Sequence, residues 1–385
     1  MNNTIKNEMP LMKHIDRLFR DNSRYVVVAC QHFLEPNAEM LLKLVDRGFD
    51  PKKMYIIPKA YSHNVEIAKI LKDARMKIVG PLYYPEDSFD ETHKQNVAIT
   101  MSRVMNKYPT KDYILMDDGG TVINYANNIM NEVWKRFYPK TIAGVEQTSS
   151  GYNLLHNKEL HMPVINIARS NSKLGLESPY IAELVVSRLE DYLRNNNKTV
   201  EHNTLILGAG PIGLSIRDKL RDKHQVTLYD TSSKEYTVLE KLVKDKDIII
   251  GCTGDISIPH EYHKHLKNTV LVNAASSDRE FDAHHLRKEC EKYSNDNRIV
   301  RTTHKNYDLS KIGLEGSVLL NGGFPITFLG NKIEGDANMM QITFGLMYAG
   351  ILSLTQKRYA NGFHQLNPEI EKSIRNRYEN LIGKK

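Results

Sequence analysis

The sequence predicts an α/β protein made of two doubly wound parallel-sheet domains, the second a Rossmann NAD-binding domain. Three observations predict it. Short apolar strands alternate with amphipathic helical segments through the first third of the chain. The strands are continuously apolar, the pattern of a parallel sheet covered on both faces. The stretch 203–213 reads as a strand, a glycine-rich turn and a helix.

Taken in order, Leu11, Ile15 and Phe19 recur at helical spacing ahead of a strand over 25–29. A helix through Leu41, Leu42 and Val45 precedes a strand over 54–57, and one through Val65, Ala68 and Leu71 precedes a strand over 77–79. A helix through Val97, Met101 and Met105 leads to a strand over 112–116. Ligands of such sheets sit beyond the carboxyl ends of the strands. Those ends carry His32, the pair Asp117 and Asp118, and Glu146-Gln147 followed by Thr148, Ser149 and Ser150. Each has a plainer reading: the aspartates suit the cap of a helix starting near Thr121, and His32 suits a satisfied surface histidine. A fifth strand over 163–167 leads to a loop bearing Lys173, then to a helix through Ile181, Leu184, Val185 and Leu189. The polar run 194–198 reads as a linker.

In the glycine motif, Gly208 permits the tight turn, Gly210 lets backbone approach a pyrophosphate, and Pro211 and Ile212 open the helix. Gly213 lets that helix pack closely on its strand, leaving free N–H groups facing the phosphates. The next strand, 225–229, ends at Asp230, an acceptor for both ribose hydroxyls that favours NAD over NADP. Strands over 247–250 and 268–273 end in Thr253-Gly254 and in Ala274, Ala275 and Ser276, small residues that leave room for a dinucleotide. A β-rich segment is expected over 318–328, and a long apolar helix over 339–354 returns the chain to the first domain. Asn367 and Pro368 open a last helix as N-cap and first-turn proline. The expected division is a substrate domain over 1–177, completed by 340–385, and a dinucleotide domain over 178–339.

Of 385 residues, 41% are hydrophobic and 26% charged, the balance of an ordinary globular protein. The net charge of +7 comes from lysines and arginines interspersed with acids, which argues against nucleic acid as a partner. Cys30, Cys252 and Cys290 are too far apart for a zinc motif or a disulfide framework, so no metal is expected. No apolar run approaches a membrane span, and the first residues lack the order of a secretory signal. A cytoplasmic enzyme with a small-molecule substrate and no membrane partner is expected.

These motifs, in this order from about Val26 to about Leu352, resemble the S-adenosylhomocysteine hydrolase family. The resemblance implies a tightly held NAD that oxidises a substrate hydroxyl, after which elimination, hydration and re-reduction leave the cofactor unchanged. It implies that His32 and Asp118 handle protons near the leaving group, that Lys173 takes the hydroxyl proton and that Glu177 is its carboxylate partner. Thr148, Ser149 and Ser150 match a threonine run at the nicotinamide. Glu146, Gln147 and Asp336 fall on substrate-side positions, and a homo-oligomer, dimer or tetramer, is implied. The chain departs from the pattern at Ser276 and Gly335-Asp336, where the family has histidines, at Gln147 and Ser178, at Leu34-Glu35-Pro36, and in its tail. The redox half therefore matches better than the adenosine-reading half, and the expected substrate widens to a nucleoside or sugar-like hydroxylated molecule. The alternatives are a simple NAD-dependent dehydrogenase and a non-catalytic NAD-binding homologue.

Overall fold

A computed structural model describes residues 9–19, 24–80, 88–129, 141–198, 201–230, 236–292, 305–328 and 337–383. The elements begin with α1 (Pro10–Asp16), β1 (Val26–Gln31), α2 (Glu35–Asp46), β2 (Met54–Pro58), α3 (Val65–Asp73), β3 (Lys77–Ile78) and α4 (Phe89–Lys107). Then come β4 (Tyr113–Asp117), α5 (Thr121–Ile129), β5 (Ile142–Glu146), α6 (Ser149–Leu155), β6 (Pro163–Asn166) and α7 (Asn171–Asn195). They continue with β7 (Asn203–Leu207), α8 (Pro211–Leu220), β8 (Gln225–Tyr229), α9 (Tyr236–Val243), β9 (Ile248–Gly251), β10 (Val270–Asn273) and α10 (Ala283–Glu291). Last are β11 (Tyr307–Asp308), β12 (Val318–Leu319), α11 (Ala337–Gln356), β13 (Gly362–His364) and α12 (Pro368–Ile382). The chain divides into two compact units: Met1–Pro81, His93–Glu177 and Gly335–Lys385 form one, Leu82–Thr92 and Ser178–Glu334 the other.

The first unit holds a seven-stranded sheet in the order β13-β6-β5-β4-β1-β2-β3, with every pair parallel. The chain builds outward from β1 to β3, then crosses back to β4, so the order reverses between β1 and β4. Strands β1, β4, β5 and β6 are buried at every position because helices cover both faces. Alternate residues serve opposite layers: Val27 and Ala29 pack in the core with Leu41 and Met347, and Val26 and Val28 pack with Val97 and Val122. Asn64 caps α3. Asn367 caps α12 with Pro368 as its first residue, as the sequence predicts.

Helix α3 ends in a left-handed turn. The Arg75 N–H donates to Lys72 O and the Met76 N–H to Leu71 O, with Arg75 at φ 70°. Glycine normally fills that position because any Cβ is strained there by about 1–2 kcal/mol. Arg75→Gly should therefore stabilise the fold by about 0.5–1 kcal/mol net of the freedom glycine adds to the unfolded chain. A thermal scan in which the midpoint falls would show that the arginine side chain stabilises the turn by more than its strain.

The second unit holds a six-stranded sheet in the order β11-β12-β10-β9-β7-β8, parallel except for the β11–β12 pair. Its order reverses between β7 and β9. It is a Rossmann-type layered sheet, with the Ile206, Ile250 and Val272 side chains in one core and Leu205, Ile249 and Leu271 in the other.

Two local expectations fail for physical reasons. The segment 318–328 is not β-rich: after the two-residue β12 the chain turns through Asn321, Gly322 and Gly323, all at positive φ, which no strand accommodates. The linker expected over 194–198 begins inside α7, which runs to Asn195. Strands β5 and β13 were not anticipated; in β13 three residues with one apolar side chain give no periodicity. Asp336 lies outside the described residues. Among the described residues no helix is long and apolar enough to cross a membrane.

Candidate functional site

His32 follows β1 and Asp118 follows β4, so they stand at the carboxyl ends of the two strands where the first sheet's order reverses. Both are buried. His32 Nε2 is 3.4 Å from Asp118 Oδ2, and its Nδ1 is 2.6 Å from the Ser62 hydroxyl. The Asp118 carboxylate also accepts from Lys59 Nζ and from Gln147 Nε2. Gln147 extends the chain through its backbone, whose carbonyl accepts from Lys173 Nζ. Lys173 Nζ is 3.2 Å from the Glu177 carboxylate, which accepts from the Thr343 hydroxyl at 2.6 Å. The side chains from His32 to Glu177 thus form one connected polar chain within the first unit.

Two features of this chain differ from the sequence reading. Lys173 is not in a loop: it lies in the first turn of α7, so Glu177, four residues on, sits one turn away on the same face. A cation in a helix's first turn opposes the helix dipole, and the Gln147 carbonyl and Glu177 offset that. Lys59 was not singled out at all. Its only signal was position, a lysine directly after the apolar strand β2. Gln147 is informative for another reason. The ionised Asp118 requires a donor, so the amide nitrogen faces it, and Gln147 Oε1 is left buried with no hydrogen-bond partner among the described residues.

The electrostatics separate the carboxyl groups. Burial works to raise the Asp118 pKa, but the Lys59 ammonium and His32 outweigh it and hold the carboxyl well below the usual range. Burial lowers the His32 pKa against the pull of Asp118, favouring a neutral ring. Asp117 instead caps: its Oδ2 accepts from the Ile123 N–H at 2.8 Å in the first turn of α5, and burial pushes its pKa up to about 7. Glu146, in register beside it on β5, is pushed well above the usual range by burial and by the Asp117 charge. Its Oε1 accepts from the N–H and the hydroxyl of Thr148, each at 2.7 Å. Thr148 in turn accepts from the Gly151 N–H at 2.9 Å as the cap of α6, and a Cβ on Gly151 would meet the Glu146 carboxyl carbon at 2.2 Å. Glu146 and Thr148 are therefore committed to each other. Ser149 is exposed and Ser150 half-buried in the same turn.

In the second unit the glycine turn fits a dinucleotide. Gly208 is at φ 109°, and a Cβ there would meet the Cys252 backbone at 2.9 Å. A Cβ on Gly213 would fall 2.0 Å from Gly208 O, whereas one on Gly210 meets nothing within 4 Å. The N-cap of α8 is Gly210 with no side-chain cap, and Pro211 and Ile212 complete its open first turn. Asp230, exposed, follows β8 beside this turn, where the Gly208 N–H donates to Tyr229 O at 2.8 Å. Thr253 and Gly254 are otherwise engaged. Their N–H groups and the Thr253 hydroxyl all donate to Glu280 Oε1, a buried carboxyl that burial pushes up to about 7. Ala274, Ala275 and Ser276 follow β10, and the Ala275 N–H is held by Asn273 Oδ1 at 2.6 Å. Among the described residues no cluster of three or more His, Cys, Asp or Glu could hold a metal ion.

No family model matches the sequence. The uncharacterized protein Rv0104 of Mycobacterium tuberculosis is 32% identical over 336 residues, which cover 85% of this chain and 63% of that protein. The uncharacterized protein MT0113 of the same species matches identically. The chain thus spans less than two thirds of the length of these relatives. The formate dehydrogenase of Staphylococcus aureus, solved with NAD, aligns at 12% identity and a TM-score of 0.41 over 87% of this chain and 99% of that one. The 3-phosphoglycerate dehydrogenase of Entamoeba histolytica aligns at 11% and 0.38 over 86% and 94%. The D-isomer specific 2-hydroxyacid dehydrogenase of Lactobacillus delbrueckii aligns at 10% and 0.37 over 87% and 99%. The resemblance to S-adenosylhomocysteine hydrolase finds no support: no family model matches, and the similar structures named here are dehydrogenases. The family, its hydrolase chemistry and S-adenosylhomocysteine as substrate are withdrawn. The physical reason lies in the motifs: Asp117, Glu146, Thr148 and Gly151 do what any strand-to-helix turn requires, so their order reports a doubly wound sheet more than a family.

Proposed function

We propose that the chain is an NAD-dependent dehydrogenase acting on a hydroxyl-bearing small molecule. Residues 178–339 serve as its dinucleotide domain through the Gly208–Gly213 turn and Asp230, and the first unit supplies the proton-handling side chains. The observation that carries this reading is the Lys173–Glu177 pair joined through Gln147 to Asp118 and His32 at the first sheet's switch point.

Bound NAD would supply the hydride acceptor for the substrate's hydroxyl-bearing carbon, with a carbonyl compound, NADH and one proton as the products. Lys173 receives the hydroxyl proton as the neutral amine, formed when its ammonium gives up one proton to solvent, and Glu177 holds the ammonium that results in place. The unpartnered Gln147 Oε1 accepts a hydrogen bond from a second polar group of the substrate and so orients it. His32, held at Nδ1 by the Ser62 hydroxyl and at Nε2 by the ionised Asp118, is fixed in orientation as the group that passes protons near neutrality.

The test is mass spectrometry of the denatured protein for NAD, followed by incubation with NAD and a panel of hydroxy acids and polyols. NADH should form in proportion to carbonyl product. Product without net NADH, or no NAD binding at millimolar concentration, overturns the reading. A companion result is expected at Asp230. The native chain should prefer NAD to NADP by about tenfold or more, because the carboxylate binds the ribose and repels a 2′-phosphate. Asp230→Ala should erase that preference in a binding titration, and equal affinities in the native protein would remove Asp230 from the site.

A further inference from the structure

We propose that the first unit carries a second ligand site, for a small anion bearing three or more negative charges, in a basic cleft at the amino-terminal ends of β2 and β3. The cleft is open, about 570 Å³, and lined by Lys52, Lys72, Arg75, Lys77 and Lys107 with Met76 and Tyr108. No acid lines it. Asp50, the acid nearest to Lys52 in the chain, is paired with Lys53 at 3.2 Å, and among the described residues none of the five cations forms a salt bridge. Lys107 donates to Tyr55 Oη at 3.4 Å and lies 5.2 Å from the Tyr108 ring centroid, so it is held at the wall.

Helix dipoles account for part of this charge, since Lys72 and Lys107 lie in the last turns of α3 and α4. They do not account for Lys52, Lys77 or Arg75. Arg75 is kept in a left-handed conformation in which glycine would be unstrained. Five like charges around one cleft repel one another, and an anion relieves that repulsion. An arginine offers bidentate bonds to phosphate oxygens and lysines offer movable point charges. The volume is that of a small-ligand pocket. A nucleic-acid surface would be an extended basic stripe, whereas cations elsewhere in the chain alternate with acids. The His32–Glu177 chain lies at the opposite, carboxyl ends of the strands, so the cleft is separate from it and its test does not depend on the dehydrogenase reading.

The probe is inorganic tripolyphosphate, titrated calorimetrically into the full chain at low salt, with orthophosphate and a short DNA duplex in parallel. Tripolyphosphate should fill a single saturable site at least about tenfold more tightly than orthophosphate, and rising salt should weaken it. Arg75→Gly, expected to fold more stably than the native chain, and Lys77→Gln/Lys107→Gln should each weaken binding by about tenfold. Lys241→Gln/Lys264→Gln, the same charge change elsewhere, should leave it unchanged. Absence of saturable binding, equal weakening in the Lys241/Lys264 control, or tighter binding of the duplex through the same residues would each overturn the proposal.

Discussion

Lys173→Met should lower the rate of NADH formation with a substrate of the native enzyme by roughly 10³-fold, within the range that positioned acid–base groups contribute. NAD binding should be retained, because the glycine turn and Asp230 are untouched. The methionine is close to lysine in length and leaves the Gln147 carbonyl and Glu177 without their cation. Stopped-flow absorbance with saturating substrate separates the effects: a loss confined to kcat assigns Lys173 to the chemical step, and a loss confined to KM assigns it to binding. A variant that turns over at the native rate would remove Lys173 from the mechanism and leave the chain as a binding protein.

Asp118→Asn should be the most destabilising substitution among the candidate residues, by about 3–5 kcal/mol. Its side chain and that of Lys59 are 3% and 4% exposed, so removing the carboxylate leaves an ammonium buried without a counter-charge. Lys59→Met/Asp118→Asn should recover much of the loss, because no unpaired charge then remains. The deficit should also depend on pH. The depressed Asp118 carboxyl contributes stability above the unfolded carboxylate pKa of about 3.9, and that contribution disappears as pH falls through its folded value. Asp117 has the opposite sign: raised to about 7, it favours the fold below about 3.9 and that benefit is lost as pH rises toward 7. The gap between native and Asp118→Asn melting temperatures should therefore narrow in strong acid while the Asp117 contribution persists there. A stability difference under about 1 kcal/mol between the two proteins at neutral pH would mean the pair behaves as a solvent-screened one.

The sequence alone determined the elements whose signal is local. Continuous apolar runs specified β1, β4 and β6, helical spacing specified α2 through α4, and Asn367-Pro368 specified the start of α12. The glycine turn was legible for the same reason, since a positive φ at Gly208 and a 2.0 Å clash at Gly213 leave glycine no substitute. What depends on partners far along the chain was not legible. Asp117 and Asp118 are adjacent, yet one caps a helix and the other anchors Lys59 and His32, because successive residues leave a strand on opposite sides. Lys59 meets Asp118, 59 positions further along the chain, and no periodicity encodes that meeting. The helical start at Asn171 placed Lys173 and Glu177 on one face, where the strand-then-loop pattern had suggested a free lysine. The basic cleft emerged from lysines and arginines that look evenly scattered in sequence, because β2, β3 and the ends of α3 and α4 converge only once the sheet is formed. Local periodicity reports how a segment curls and which side it buries; which charges meet is decided by strand order, and that is set by packing between segments many residues apart.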